Sequence, residues 1–271
     1  MTKNEILTKI ELLESEGKFN EEVVPPANLK KAEVKKDFNY TRKGLKAKLN
    51  SAFINPLFKL VALVISNHFR LKVIGKKNLK KMKKAIVTSN HINNIDCLLI
   101  RKALWHKKLK ITVAEFNNFK GILGYIMRSA GTMPFGNSFE CAKNISDAIS
   151  ELLDKNNMIV FYPEHALWWC YEKPRPTQKG AYYFASKNKV PILPLFFTFK
   201  NLKQKKDGTY KKKFFLHIGE PIYPLEENDT KQNIEYLQKK DFEWRKNVYE
   251  EFYGKKLIYN IENSADVFEN M

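Results

Sequence analysis

Cysteine, acidic residues and long apolar runs are all scarce in this chain of 271 residues. The three cysteines, Cys97, Cys141 and Cys170, are odd in number and far apart, with no C-x-x-C pair and no secretory leader ahead of them. That pattern argues against a disulfide framework or a cysteine zinc site and predicts a reducing, cytoplasmic setting. The longest apolar stretch, residues 52–65, is interrupted by Asn55, Pro56 and Lys59 and falls short of the roughly 20 residues a membrane span requires. The expectation is a protein that is soluble or lies on a membrane without crossing it. Acid is outnumbered: 29 Asp and Glu against 48 Lys and Arg leave a formal charge of +19, which draws the chain to a polyanion, either nucleic acid or an anionic membrane surface. Also missing are a G-x-S-x-G nucleophile elbow, a G-x-x-x-x-G-K-[ST] phosphate loop, G-x-G-x-x-G and H-E-x-x-H. Serine-hydrolase, nucleoside-triphosphatase, dinucleotide and zincin chemistries therefore have no support, and neither metal nor cofactor is expected.

What is present is enough apolar sequence for one large core, 44% of the chain, and no linker long enough to split it. Residues 1–40 read as an N-terminal arm. Ile6, Ile10 and Leu13 share a helical face, and the polar stretch to Asn28, with Pro25-Pro26, reads as loose chain. In residues 41–70, Arg42, Lys43, Lys46, Lys48, Lys59 and Arg70 flank Leu45, Leu49, Phe53, Leu57, Phe58, Leu60, Val61 and Val64, a basic amphipathic pattern that Pro56 divides into two helices. Such helices either lie among lipid headgroups or pack as ordinary core helices. The pattern then becomes α/β. Strands are predicted at 71–74, 85–88, 110–114, 158–162, 192–199 and 214–218, with helical runs at 145–153 and 177–187. A single α/β domain follows, a mostly parallel or mixed sheet covered by helices on both faces, with function gathered at the carboxyl ends of its strands. Residues 230–253 read as a long charged packing helix opening a C-terminal segment, 226–271.

Within this frame, Ser89-Asn90-His91-Ile92-Asn93-Asn94-Ile95-Asp96 places an imidazole and a carboxylate across one predicted strand-to-helix turn. On a straight helix, residues five apart sit about 140° out of line. Across the turn they can meet, with His91 ending the strand, Asn93 or Asn94 capping the helix and Asp96 in its first turn. A His–carboxylate pair without a protein nucleophile suits general-base activation of a hydroxyl or water of the substrate. The run from Phe161 to Trp169 brings Glu164, His165, Trp168 and Trp169 into one loop, where paired indoles form either a binding wall, a membrane contact or plain core.

Several ordered blocks together resemble the 1-acylglycerol-3-phosphate acyltransferases (lysophosphatidate acyltransferases) among glycerolipid acyltransferases. Their H-x-x-x-x-D looks like His91 to Asp96, and their second block looks like Gly121-Ile122-Leu123-Gly124 to Gly131-Thr132-Met133-Pro134. The aromatic-Pro-Glu block looks like Tyr162-Pro163-Glu164, and the fourth looks like Val190-Pro191-Ile192-Leu193-Pro194, preceded by Lys179-Gly180-Ala181. The resemblance covers about residues 70–220, within a domain drawn at 71–225. It implies a fatty acyl transfer from acyl-CoA or acyl-carrier protein to a lysophospholipid hydroxyl, in phospholipid biosynthesis at the inner face of a membrane. His91 would be the base, Asp96 its orienting acid and Glu164 an acceptor-site residue, while Pro191 and Pro194 would shape the acyl-donor side. Two arginines usual in the family are replaced by Phe135-Gly136-Asn137 and by His165-Ala166-Leu167. Arg128, Lys143, Lys173, Arg175 or Lys179 could meet an acceptor phosphate instead, with Arg175 and Lys179 the expected acceptor-binding pair. The rival expectations are a basic nucleic-acid-binding protein, fed by runs such as Lys211-Lys212-Lys213-Phe214-Phe215, and a lipid-binding homologue without catalysis.

Overall fold

A computed structural model describes residues 1–205 and 208–261, so the end of the C-terminal tail, 262–271, lies outside the described residues. Seven strands form one sheet: β1 Lys72–Ile74, β2 Ala85–Ser89, β3 Lys108–Val113, β4 Thr132–Pro134, β5 Asn157–Phe161, β6 Ile192–Gln204 and β7 Tyr210–Ile218. Their order is β1-β7-β6-β2-β5-β3-β4, parallel at every pairing except the antiparallel β6–β7 hairpin. The helices are α1 Lys3–Ser15, α2 Leu45–His68, α3 Asp96–Ala103, α4 Gly121–Ser129, α5 Phe139–Asp154, α6 Gly180–Lys187 and α7 Thr230–Tyr253.

Period-2 alternation divides the core between the two faces of the sheet. Ile86, Ile159 and Ile192 point into the cluster built with Ile145, Ile149 and Leu152 of α5, Tyr182 of α6 and Leu237 of α7. Their neighbours Val87, Val160 and Leu193 point the other way, with Leu99 and Ile100 of α3 and Phe214 of β7. Every residue of β2 and of β5 is buried, as in a sheet covered on both sides. Because β2 and β5 are central neighbours, the loops leaving their carboxyl ends share one crevice.

Three expectations are corrected. Pro56 does not divide residues 41–70; it sits inside the continuous α2, on a side where both Pro56 and Ala52, whose carbonyl loses its i+4 donor, are exposed and open to water. With that continuity, Ala47–His68 becomes 22 residues of mean hydropathy 1.5, long and apolar enough to cross a membrane by length and composition. The N-terminal arm is not loose. Ile10, Leu13, Phe19 and Val23 form a third cluster with Ala166, Trp168, Tyr171 and Tyr259, so Trp168 is core rather than a binding wall.

Candidate active site

The site is built where β2 ends. The Asn90 side chain is locked to β6, donating to the Phe197 carbonyl at 3.0 Å and accepting from the Phe197 amide at 2.7 Å. The chain then turns back over the start of α3. Neither Asn93 nor Asn94 caps that helix: the cap position is Ile95, with no side-chain cap, and Asp96 itself reaches backward. Its Oδ2 accepts from the amides of Ile92 at 2.8 Å and Asn93 at 2.9 Å and lies 3.1 Å from His91 Nδ1. Three donors on one carboxylate oxygen replace the cap predicted for the asparagines.

Asp96 is fully buried while the His91 side chain keeps 24% exposure, so the acid is sealed and the base is reachable. Burial pushes the Asp96 carboxyl up, and the imidazole and the two amides oppose that rise. A carboxylate at Nδ1 fixes the neutral tautomer with its proton there, leaving Nε2 as the acceptor. Among the described residues Nε2 has no hydrogen-bond partner.

The loop after β5 supplies the floor. The Tyr162 ring stacks on the imidazole at 4.1 Å between centroids with 22° between planes. Its hydroxyl is buried without a partner among the described residues, and burial holds it well above the phenol range. Two amides of the same loop, Trp168 and Cys170, donate to the carbonyls of His91 at 3.0 Å and Ile92 at 2.9 Å. The neighbouring thiols are pushed up by burial, Cys97 to about 11 and Cys170 to about 12, so neither is a thiolate nucleophile at neutral pH.

Glu164 and Arg175 are brought together, but inward. Arg175 is fully buried, meets Glu164 Oε2 at 3.0 Å, donates to the Phe19 carbonyl at 2.8 Å and lies over the Trp168 ring. Arg245 of α7 approaches the same carboxylate at 3.6 Å and pairs with Asp241, which accepts from the Tyr182 hydroxyl at 2.7 Å. Two acids and two guanidinium groups thus close a buried network, and Arg175 is not the free phosphate partner the sequence led one to expect. Arg128 is likewise consumed by Asn118 and the Phe119 carbonyl, and Lys173 by Glu14. Of the five substitute cations, Lys143 and Lys179 are exposed. Pro191 and Pro194 are buried in the sheet, their carbonyls accepting from Ile86 at 3.1 Å and Gly219 at 2.9 Å.

Sequence reasoning missed Glu22. The arm lays it near the site, where burial raises its carboxyl while His165, His91 and Arg175 act to lower it. No spacing along the chain connects residue 22 to residue 91; only the packing of the arm does. Among the described residues no group of His, Cys, Asp and Glu is arranged to hold a metal ion.

The segment that carries the buried acid and the partly exposed imidazole at the end of β2 lies within residues 70–198, which match the family model described as Acyltransferase. That match spans 129 of the 271 residues, a little under half of the chain. A 1-acyl-sn-glycerol-3-phosphate acyltransferase of Saccharomyces cerevisiae is 25% identical over 128 residues, and the match spans 46% of this chain but only 42% of the yeast protein. The crystal structure of the 1-acyl-sn-glycerophosphate (LPA) acyltransferase PlsC from Thermotoga maritima shares the fold at a TM-score of 0.55 and 21% identity, covering 74% of this chain and 83% of that one.

Proposed function

We propose that the protein is an O-acyltransferase that moves a fatty acyl group from a thioester, acyl-CoA or acyl-carrier protein, to the hydroxyl of a lysophospholipid. By analogy with the yeast relative, the acceptor is 1-acyl-sn-glycerol-3-phosphate and the product phosphatidic acid, in phospholipid biosynthesis. The observation that carries this reading is the His91–Asp96 pair, with Nδ1 held and Nε2 free. Nε2 takes the proton of the acceptor hydroxyl as its oxygen attacks the thioester carbonyl. The tetrahedral intermediate collapses, the C–S bond breaks, and the proton leaves on the thiol. Asp96 holds the ring and stabilises the imidazolium between the two transfers. No covalent acyl-enzyme is required.

Glu164 and Arg175 serve this site as a brace for the loop that carries Tyr162 and Trp168, rather than by touching the acceptor. Lys179 remains for the acceptor phosphate, while Pro191 and Pro194 set the course of β6 behind the donor side. The protein works at a membrane, on its cytoplasmic face: α2 exposes Leu45, Leu49, Phe53, Leu57 and Val64, α4 exposes Ile122, and the free cysteines fit a reducing compartment.

The test is incubation of the purified protein and of His91→Ala with labelled acyl-CoA or acyl-carrier protein and a panel of lysolipids, following diacyl product and free thiol. Loss of a general base lowers turnover by about 10²- to 10⁴-fold. Retained turnover in His91→Ala removes the assigned role, and vesicle binding without turnover by the unaltered protein removes the enzyme reading.

A further inference from the structure

The inner face of α2 changes character along its length. Toward its C-terminal end Phe58, Ala62, Ile65 and Phe69 follow one helical stripe, with Ala62 buried and Ile65 and Phe69 joining the core. Toward its N-terminal end the same side carries Lys48, Ser51, Asn55 and Lys59, and a groove of about 880 Å³ opens between α2 and the amino ends of β3 and β5. The groove lies at the opposite end of the sheet from His91, since Lys108 and Asn157 begin β3 and β5 whereas His91 follows the end of β2. One five-residue strand separates the two ends, about 17 Å.

Six cations line this groove: Arg42, Lys48, Lys59, Lys108, Lys110 and Lys155. Among the described residues only Lys155 has a carboxylate partner, Glu151. Arg42 donates to Ser129 Oγ at 3.0 Å, but its Nε is buried with no hydrogen-bond partner among the described residues. Lys110 is half-buried, and burial together with Arg42 and Arg101 lowers its ammonium to about 8. Like charges gathered in a concavity of reduced dielectric raise the free energy of the empty site, and an entering anion relieves it.

The outer wall of the groove indicates which anion. Leu49, Phe53, Leu60 and Val64 are exposed on the stripe of α2 next to the cationic one, and Leu60 belongs to both groove and stripe. An amphiphile with a phosphate head and acyl tails matches both surfaces, whereas a soluble phosphate compound leaves the stripe bare. We propose that this groove binds the phosphate headgroup of an anionic phospholipid of the bilayer, a second lipid site remote from His91 that seats α2 in the headgroup layer. The assignment rests on the reading of the protein as a membrane-surface enzyme.

Vesicle sedimentation tests it. The full chain is mixed with vesicles of phosphatidylcholine alone or of phosphatidylcholine with a minor share of phosphatidylglycerol, and compared with Arg42→Gln/Lys110→Met and with Lys239→Gln/Lys246→Gln on α7, a control that removes the same charge. The groove variant is expected to lose about tenfold or more of its partition onto the anionic vesicles and the control under about threefold. Lys110→Arg should bind like the unaltered protein, and removing a crowded half-buried cation should leave the fold intact by circular dichroism. Equal losses in groove variant and control, or no loss in either, overturn the headgroup site while leaving membrane association standing. Failure of the unaltered protein to bind any vesicle overturns both. A melting-temperature rise with inorganic phosphate that the groove variant loses, without any vesicle effect, assigns the groove to soluble phosphate and overturns the lipid.

Discussion

His91 Nδ1 is committed to Asp96, and the carboxylate oxygen it meets is already held by two amides. Asp96→Asn should therefore do more than weaken one hydrogen bond: an amide group cannot accept in the same way from three donors, and the imidazolium loses its counter-charge. Turnover is expected to fall by about 10²-fold or more, with little change in KM, in steady-state assays of acyl transfer. Tyr162 supports the same ring by stacking, and its hydroxyl has no partner among the described residues. Tyr162→Phe is accordingly expected to be neutral or stabilising by up to about 1 kcal/mol in urea unfolding, with activity kept. Lys110 gives a pH signature. Its folded value, about 8, lies below the ordinary 10.5, so the unfolded chain binds more protons between the two and stability rises with pH across that window. In Lys110→Met that rise should be smaller, measured as unfolding midpoints at neutral and alkaline pH in both proteins.

At the scale of elements, α2 carries an interior proline on an exposed side, where the residue lacks the N–H that the carbonyl of Ala52 meets in a regular helix. Pro56→Ala is expected to raise stability by about 1–3 kcal/mol, read as a higher melting temperature. The proline misled the sequence reading because a breaker inside an amphipathic run is ordinarily a boundary, and only tertiary packing of Phe58, Ala62 and Ile65 carries the helix past it. Other elements were readable for a physical reason. β2 and β5 are short apolar runs because both sheet faces are covered, and α7 keeps its 3.6-residue spacing over 24 residues. β4, three residues at the sheet edge, is too short to show any period.

The whole molecule is tied together by groups that leave almost no trace along the sequence. Glu164 and Arg175 in the loop, Arg245 and Asp241 in α7 and Tyr182 in α6 join in one buried network. Removing one member strands a buried charge, so Arg245→Met is expected to cost about 3–5 kcal/mol in denaturant unfolding, a loss that reaches the arm as well as α7. The contact between His91 and Asp96 lay within five residues and could be anticipated from a turn. The inward placing of Arg175, and the nearness of Glu22 to the imidazole, depend on chain segments more than 60 residues apart and could not.

The arm is fastened in two ways: Ile10, Leu13, Phe19 and Val23 bury their side chains in the third cluster, and the carbonyls of Phe19 and Glu21 accept from Arg175 and Trp168. Main-chain acceptors are the same whatever side chain they carry. Evolution can thus rewrite the outward letters of this strap while its path stays fixed, whereas truncating Phe19 or Val23, or shortening the strap, empties the core it closes.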